Sequence, residues 1–80
     1  MNNLSVELPF KFNTRLYFIC SCNDGHYRII KSTEWHYEIY SANDIRINFN
    51  NETFYLDSRK IHTRFGDARK ALKLFNGMED

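Results

Sequence analysis

The sequence is poor in cysteine, proline and glycine, and it contains no long apolar run. Two cysteines among 80 residues are too few for the disulfide framework that stabilises many small secreted domains. No stretch approaches the roughly 18 apolar residues that a membrane-spanning helix needs. The alternating residues 1–12 lack the apolar block of a secretory signal. We therefore expect a cytoplasmic protein, and one domain over residues 1–80, because this length leaves no room for a second folded unit.

The chain also lacks a predominance of either positive or negative charge. Eleven Lys and Arg stand against ten Asp and Glu, which excludes a highly basic nucleic-acid coat protein and a polyanionic mimic of nucleic acid. Aromatic residues, in contrast, make up 16% of the chain. A domain of this size buries a smaller fraction of its unfolded chain's surface than a larger domain does, so its fold depends on burying most of these rings.

Strict alternation of apolar and polar residues predicts antiparallel strands along most of the chain. The second predicted strand is apolar on both faces, which indicates a central position in a sheet. Asp24-Gly25 predicts a two-residue hairpin turn, and Asn50-Asn51 predicts a second hairpin turn. Residues 57–66 are open to two interpretations, because residues 61–65 within them alternate well enough for either a short strand or an ordered loop. The predicted strands cover residues 4–12, 15–22, 27–32, 34–42, 45–49 and 53–56.

From Asp67 the apolar period changes from two to that of a helix. Asp67 is suited to cap the first turn, and Gly77 lies just beyond the last. The sequence thus predicts an α+β fold, a curled antiparallel β-meander of about five to six strands packed by one C-terminal helix. The apolar stripe of this helix consists of Ala68, Ala71, Leu72 and Phe75.

A single short helix covers only about a third of a sheet of this width. Three arrangements would cover the rest of the apolar sheet face. The sheet curls into a partly closed barrel, two copies pack as a homodimer, or a partner occupies the uncovered face of a monomer. Curling is the arrangement we favour, and it is compatible with a contact surface for a partner.

Two groups of residues invite a chemical interpretation. Cys20 and Cys22, with His26 and a second histidine, offer thiolate and imidazole ligands, but their spacing is not that of a zinc site. Glu34, His36 and Glu38 share one strand face, as exposed charges on strands often do. Phosphate-binding loops and nucleophile elbows are lacking from the sequence. We predict that the chain is not an enzyme and has no metal or cofactor.

Positive charge and tyrosine provide the candidate binding residues. Six of the eleven cations fall within residues 59–73, where Asp67 is the only acid. Tyr40 and Tyr55 are predicted to face outward, and tyrosine is enriched at protein interfaces. The candidate binding residues are Tyr40, Tyr55, Arg59, Lys60, Arg64, Arg69, Lys70 and Lys73.

The leading hypothesis is a small protein-binding module that uses these tyrosines and cations together to occupy a surface of a larger protein. Abundant Asn, Ile, Lys, Phe and Tyr indicate an AT-rich genome, which favours an inhibitor from a phage or mobile element. The alternative is a nucleic-acid-binding domain, with the cations of residues 59–73 on phosphates and with Arg46, Asn48 and Tyr55 near the bases.

Overall fold

The computed structural model describes residues 10–41 and 44–77, and these form six strands and one helix. This arrangement confirms the predicted α+β class with antiparallel strands and one C-terminal helix. The strand predicted over residues 4–12 lies mostly outside the described residues, and its last part, from Phe10, is a bend and turn. The elements are β1 (Leu16–Ser21), β2 (Tyr27–Ser32), β3 (His36–Ser41), β4 (Asp44–Phe49), β5 (Glu52–Tyr55), β6 (Ile61–His62) and α1 (Phe65–Phe75).

The strands form two three-stranded sheets, a first sheet in the order β2-β1-β6 and a second sheet in the order β3-β4-β5. Their inner faces pack together, as the contact between Phe18 of β1 and Phe49 of β4 shows. These two rings are stacked with 4.6 Å between their centroids. The described strands are therefore two packed layers and do not close into a barrel. The physical reason is that β6 returns to pair with β1, where the Ile19 N–H donates to the Lys60 carbonyl at 2.9 Å.

The central position predicted for β1 is confirmed. Ile19 is fully buried on the side of the strand that faces α1. On the same side, the Tyr17 ring meets the Phe65 ring of α1 at 5.7 Å. The helix packs against β1, β2 and β6, so the order of layers is α1, first sheet, second sheet. The residues of β1 buried in the core shared by the two sheets are Leu16, Phe18 and Cys20.

Alternation along residues 34–42 predicts that Trp35, Tyr37 and Ile39 face inward, but the inward side of β3 is less covered than this pattern predicts. Trp35, just before the strand, is only 1% exposed and belongs to the core. Tyr37 and Ile39 share the inner face with buried isoleucines of β4, yet they are 41% and 38% exposed. The reason is that β3 is an edge strand, and the first sheet covers β4 and β5 instead.

The two hairpin turns differ in their agreement with the prediction. Asn50 and Asn51 adopt φ values of 55° and 62°, which confirms a two-residue turn of the primed type. The first hairpin turn is longer than expected. The Gly25 N–H donates to the Cys22 carbonyl at 3.1 Å, and the Cys22 N–H donates to the His26 carbonyl at 2.8 Å. Gly25 has a φ of 86°, a value that glycine adopts without strain.

The helix begins earlier in the chain than the predicted cap at Asp67 implies. Its N-cap is Arg64, without a side-chain cap, so Asp67 lies within the first turn instead of preceding it. The predicted end is confirmed, since Asn76 is the C-cap and Gly77 has a φ of 75°. Among the described residues, no helix is long and apolar enough to cross a membrane. The apolar stripe is confirmed, with Ala68 and Ala71 buried and Leu72 and Phe75 half-buried.

A side-chain contact fastens the end of α1 to the start of β2. The Tyr27 N–H donates to Asn76 Oδ1 at 2.8 Å, and Asn76 Nδ2 donates to the Tyr27 carbonyl at 3.2 Å. The side-chain amide of Asn76 thus makes the two backbone hydrogen bonds that a neighbouring strand would otherwise make at this edge of the first sheet.

Candidate functional site

The outer face of the second sheet presents a group of aromatic and polar side chains. Residues that lie directly opposite one another on neighbouring strands share a face. Arg46 of β4 lies opposite Glu38 of β3 and Tyr55 of β5. Two positions further along β4, Asn48 lies between partners on the same two strands. We call this surface the aromatic face, consisting of Glu38, Tyr40, Asp44, Arg46, Asn48, Thr53 and Tyr55.

Arg46 occupies the centre of the aromatic face. Its guanidinium carbon lies 3.7 Å from the centroid of the Tyr40 ring and 5.3 Å from that of Tyr55. Both distances fit cation–π contacts. The Arg46 Nη2 atom also forms an ion pair with Asp44 at 3.1 Å, while its Nε atom is buried without a hydrogen-bond partner. The cation is therefore held in place by two rings and one carboxylate.

Hydrogen bonds fix the side chains around Arg46. The Tyr40 hydroxyl donates to Glu38 Oε2 at 2.6 Å. This bond, followed by one from Asn48 and the nearby Arg46 charge, lowers the pKa of Glu38, and the same bond raises the pKa of Tyr40. Thr53 Oγ1 donates to Asn48 Oδ1 at 3.1 Å. A face ordered in this way loses little side-chain entropy when it binds.

The structure brings only some of the predicted binding residues together. Tyr40 and Tyr55 meet around Arg46 and remain 57% and 47% exposed. The cations of residues 59–73 lie in the loop before β6, at the N-cap of α1 and along α1 itself, on the far side of the first sheet. The two groups do not form one continuous surface. The same layering separates these cations from Arg46, Asn48 and Tyr55, which the nucleic-acid hypothesis joined to them.

The sequence pattern did not reveal how central Arg46 is. Alternation with Ile45 and Ile47 places Arg46 on the outer face, but alternation is silent about neighbours on other strands. The position of Arg46 between two tyrosines follows from the register of three strands. The predicted Asn50-Asn51 turn was a signal for part of this arrangement, because a two-residue turn there pairs Phe49 with Glu52 and thereby Arg46 with Tyr55.

The cysteine group has no metal-site geometry. Cys20 is buried, and burial, followed by the neighbouring Glu52 carboxylate, raises the pKa of its thiol to about 12. Cys22 is half-buried and also a free thiol. Within residues 10–41 and 44–77, no three side chains of His, Cys, Asp or Glu converge to hold a metal ion.

Comparison with protein-family models, with curated proteins and with solved structures finds no match for this chain.

Proposed function

We propose that this chain is a non-enzymatic protein-binding module that docks a larger protein on its aromatic face. The observation that carries the proposal is the Arg46 guanidinium held between the rings of Tyr40 and Tyr55 on an open sheet face. Tyrosine and arginine are the residue types, with tryptophan, that most often dominate the free energy of protein–protein binding. Their fixed positions reduce the entropy lost on association.

The charge of the aromatic face favours a protein partner over nucleic acid. Arg46 is accompanied by the carboxylates of Glu38 and Asp44. The face thus carries no excess of positive charge, whereas binding to a phosphate backbone depends on such an excess. A protein surface with its own mixture of apolar and polar groups fits this face better.

The narrower proposal concerns the kind of partner. The AT-rich composition supports an origin in a phage or mobile element, and we propose that the module acts in the cytoplasm as an inhibitor that covers a functional surface of a host protein. Inhibition would then follow from occupancy alone, without a reaction on the partner.

The test is capture of the partner by the immobilised chain from a nuclease-treated lysate of the source cells, followed by measurement of its Kd. Tyr40→Ala combined with Tyr55→Ala is expected to weaken binding by at least about 30-fold, the effect of losing about 2 kcal/mol at one dominant contact. The matched control is Tyr37→Ala, a half-exposed tyrosine on the inner face of the same sheet. The control variant should bind the partner like the wild type.

A second pair of variants separates the two surfaces. Charge reversal at Arg64 and Lys70 changes the side of the molecule that carries α1, so it should leave the Kd for the captured protein unchanged. A folded double tyrosine variant that binds as tightly as the wild type would overturn the proposal. So would loss of binding in the Arg64 and Lys70 variant alone.

A further inference from the structure

Positive charge is concentrated on the side of the molecule opposite the aromatic face. Six cations lie within residues 59–73, with one acid, Asp67, among them. Lys31 joins them, because it pairs with Tyr17 and shares the side of the first sheet that faces α1. Lys60 lies close to this side as well, with its Nζ atom 5.4 Å from the Tyr27 ring. We call this surface the basic face, consisting of Lys31, Arg59, Lys60, Arg64, Arg69, Lys70 and Lys73.

An aromatic groove opens within the basic face. Tyr17, Ile29, Lys31 and Phe65 line an open cavity of about 380 Å³, a volume within the range of small-ligand sites. Phe65 is 49% exposed, and its ring meets the Tyr17 ring edge to face with 5.7 Å between centroids. The groove therefore joins an accessible aromatic surface to the cation of Lys31, which lines it.

We propose that the basic face binds single-stranded nucleic acid. The cations along α1 neutralise successive phosphates, and one unpaired base enters the groove and stacks on Phe65. Proteins that bind single strands without sequence preference combine these two elements, a positive track and an aromatic platform. Charge complementarity selects a polyanion, and the exposed ring selects one with unstacked bases.

This inference goes beyond the proposed function and does not depend on it. The aromatic face and the basic face lie on opposite sides of the two packed sheets, so each has its own partner. Arg46, Asn48 and Tyr55 take no part in contacting bases, because they lie on the side away from α1. A molecule with both faces occupied would bring a protein partner to single-stranded nucleic acid.

The experiment titrates the full chain into a fluorescently labelled oligonucleotide of about 12 nucleotides, within the site size of small binding modules. Fluorescence anisotropy measures the Kd at several salt concentrations. We expect Kd to rise with salt, and Lys70→Ala to reduce the slope of log Kd against log salt by about 0.7, the value for one phosphate contact on a single strand. Phe65→Leu should weaken binding about tenfold with an unchanged slope, because it removes stacking and no charge.

Matched controls make the outcomes decisive. Lys11→Ala removes one cation from the turn that precedes β1, outside the basic face, and is expected to keep the wild-type Kd. Tyr55→Ala, on the aromatic face, should also leave oligonucleotide binding unchanged, so failure of the proposed function is distinguishable from failure of this inference. Circular dichroism melting verifies that each variant is folded.

Three results would overturn the inference. The first is no anisotropy change at about 50 mM salt, where phosphate contacts are strong. The second is equal affinity for a poly-glutamate peptide of the same charge, which would assign the basic face to an acidic protein. The third is the same Kd for wild type, Lys70→Ala and Phe65→Leu.

Discussion

Asn76→Ala removes the contact that fastens the end of α1 to the edge of the first sheet. The wild-type amide makes two hydrogen bonds with the Tyr27 backbone, at 2.8 and 3.2 Å. A protein hydrogen bond contributes about 0.5–1.5 kcal/mol to stability, so the pair contributes about 1–3 kcal/mol. The ring of Phe75 also rests on Tyr27, with 5.2 Å between centroids, and this apolar contact remains in the variant.

The loss is large for a protein of this size. Stability amounts to about 0.05–0.15 kcal/mol per residue, or about 4–12 kcal/mol for a chain of this length. Losing about 2 kcal/mol from the Asn76 contact lowers Tm by about 8–16 °C. The effect should be local as well, because β2 is an edge strand and the Tyr27 N–H loses its acceptor.

Urea unfolding measures the change in free energy, and hydrogen exchange followed by NMR measures the protection of the Tyr27 amide. The variant is expected to lose both stability and protection at Tyr27. The control is Asn23→Ala, an exposed asparagine of the first hairpin turn, which should change neither quantity much. An unfolding free energy within 0.5 kcal/mol of wild type, taken as about the limit for neutral surface changes, would refute the reasoning, as would unchanged exchange at Tyr27.

Three further predictions concern the core, the thiols and the aromatic face. Phe18→Ala should cost about 3–5 kcal/mol in urea unfolding, because its ring is fully buried between the two sheets; a cost below about 1 kcal/mol would contradict this packing. Iodoacetamide should modify Cys22 well before Cys20 in the folded protein, since burial raises the pKa of the Cys20 thiol to about 12; equal rates before unfolding would disprove this. Glu38 has a lowered pKa in the folded state, so its contribution to stability is present above about pH 4.5, its ordinary value, and is lost as pH falls through the lowered value. Glu38→Gln should therefore flatten the acid limb of the plot of unfolding free energy against pH, and an unaltered limb would argue against the bond from Tyr40.

Local features of the fold could be predicted from the sequence. Residues 15–22 are apolar on both faces, and β1 is indeed covered by α1 on one side and by the second sheet on the other. Asn50-Asn51 adopts the turn that its residue types favour, because asparagine tolerates a positive φ. Both features depend on residues that are close in sequence.

Features that depend on distant residues could not be predicted in this way. Alternation indicates which face a side chain occupies, but it does not say whether β6 extends the second sheet or returns to β1. That choice separates the tyrosines from the cations of residues 59–73, which the sequence hypothesis combined in one surface. Asn76 and Tyr27 are 49 residues apart, so no periodic pattern links them.

The claim that the aromatic face is the protein-binding surface is tested most directly by cross-linking. The photoreactive residue p-benzoylphenylalanine replaces Tyr55 in one preparation, Tyr37 in a second and Lys70 in a third, and each is illuminated with the captured partner. We predict a covalent adduct from position 55 and none from positions 37 and 70. An adduct from position 70 with none from position 55 would place the partner on the basic face and contradict the proposal.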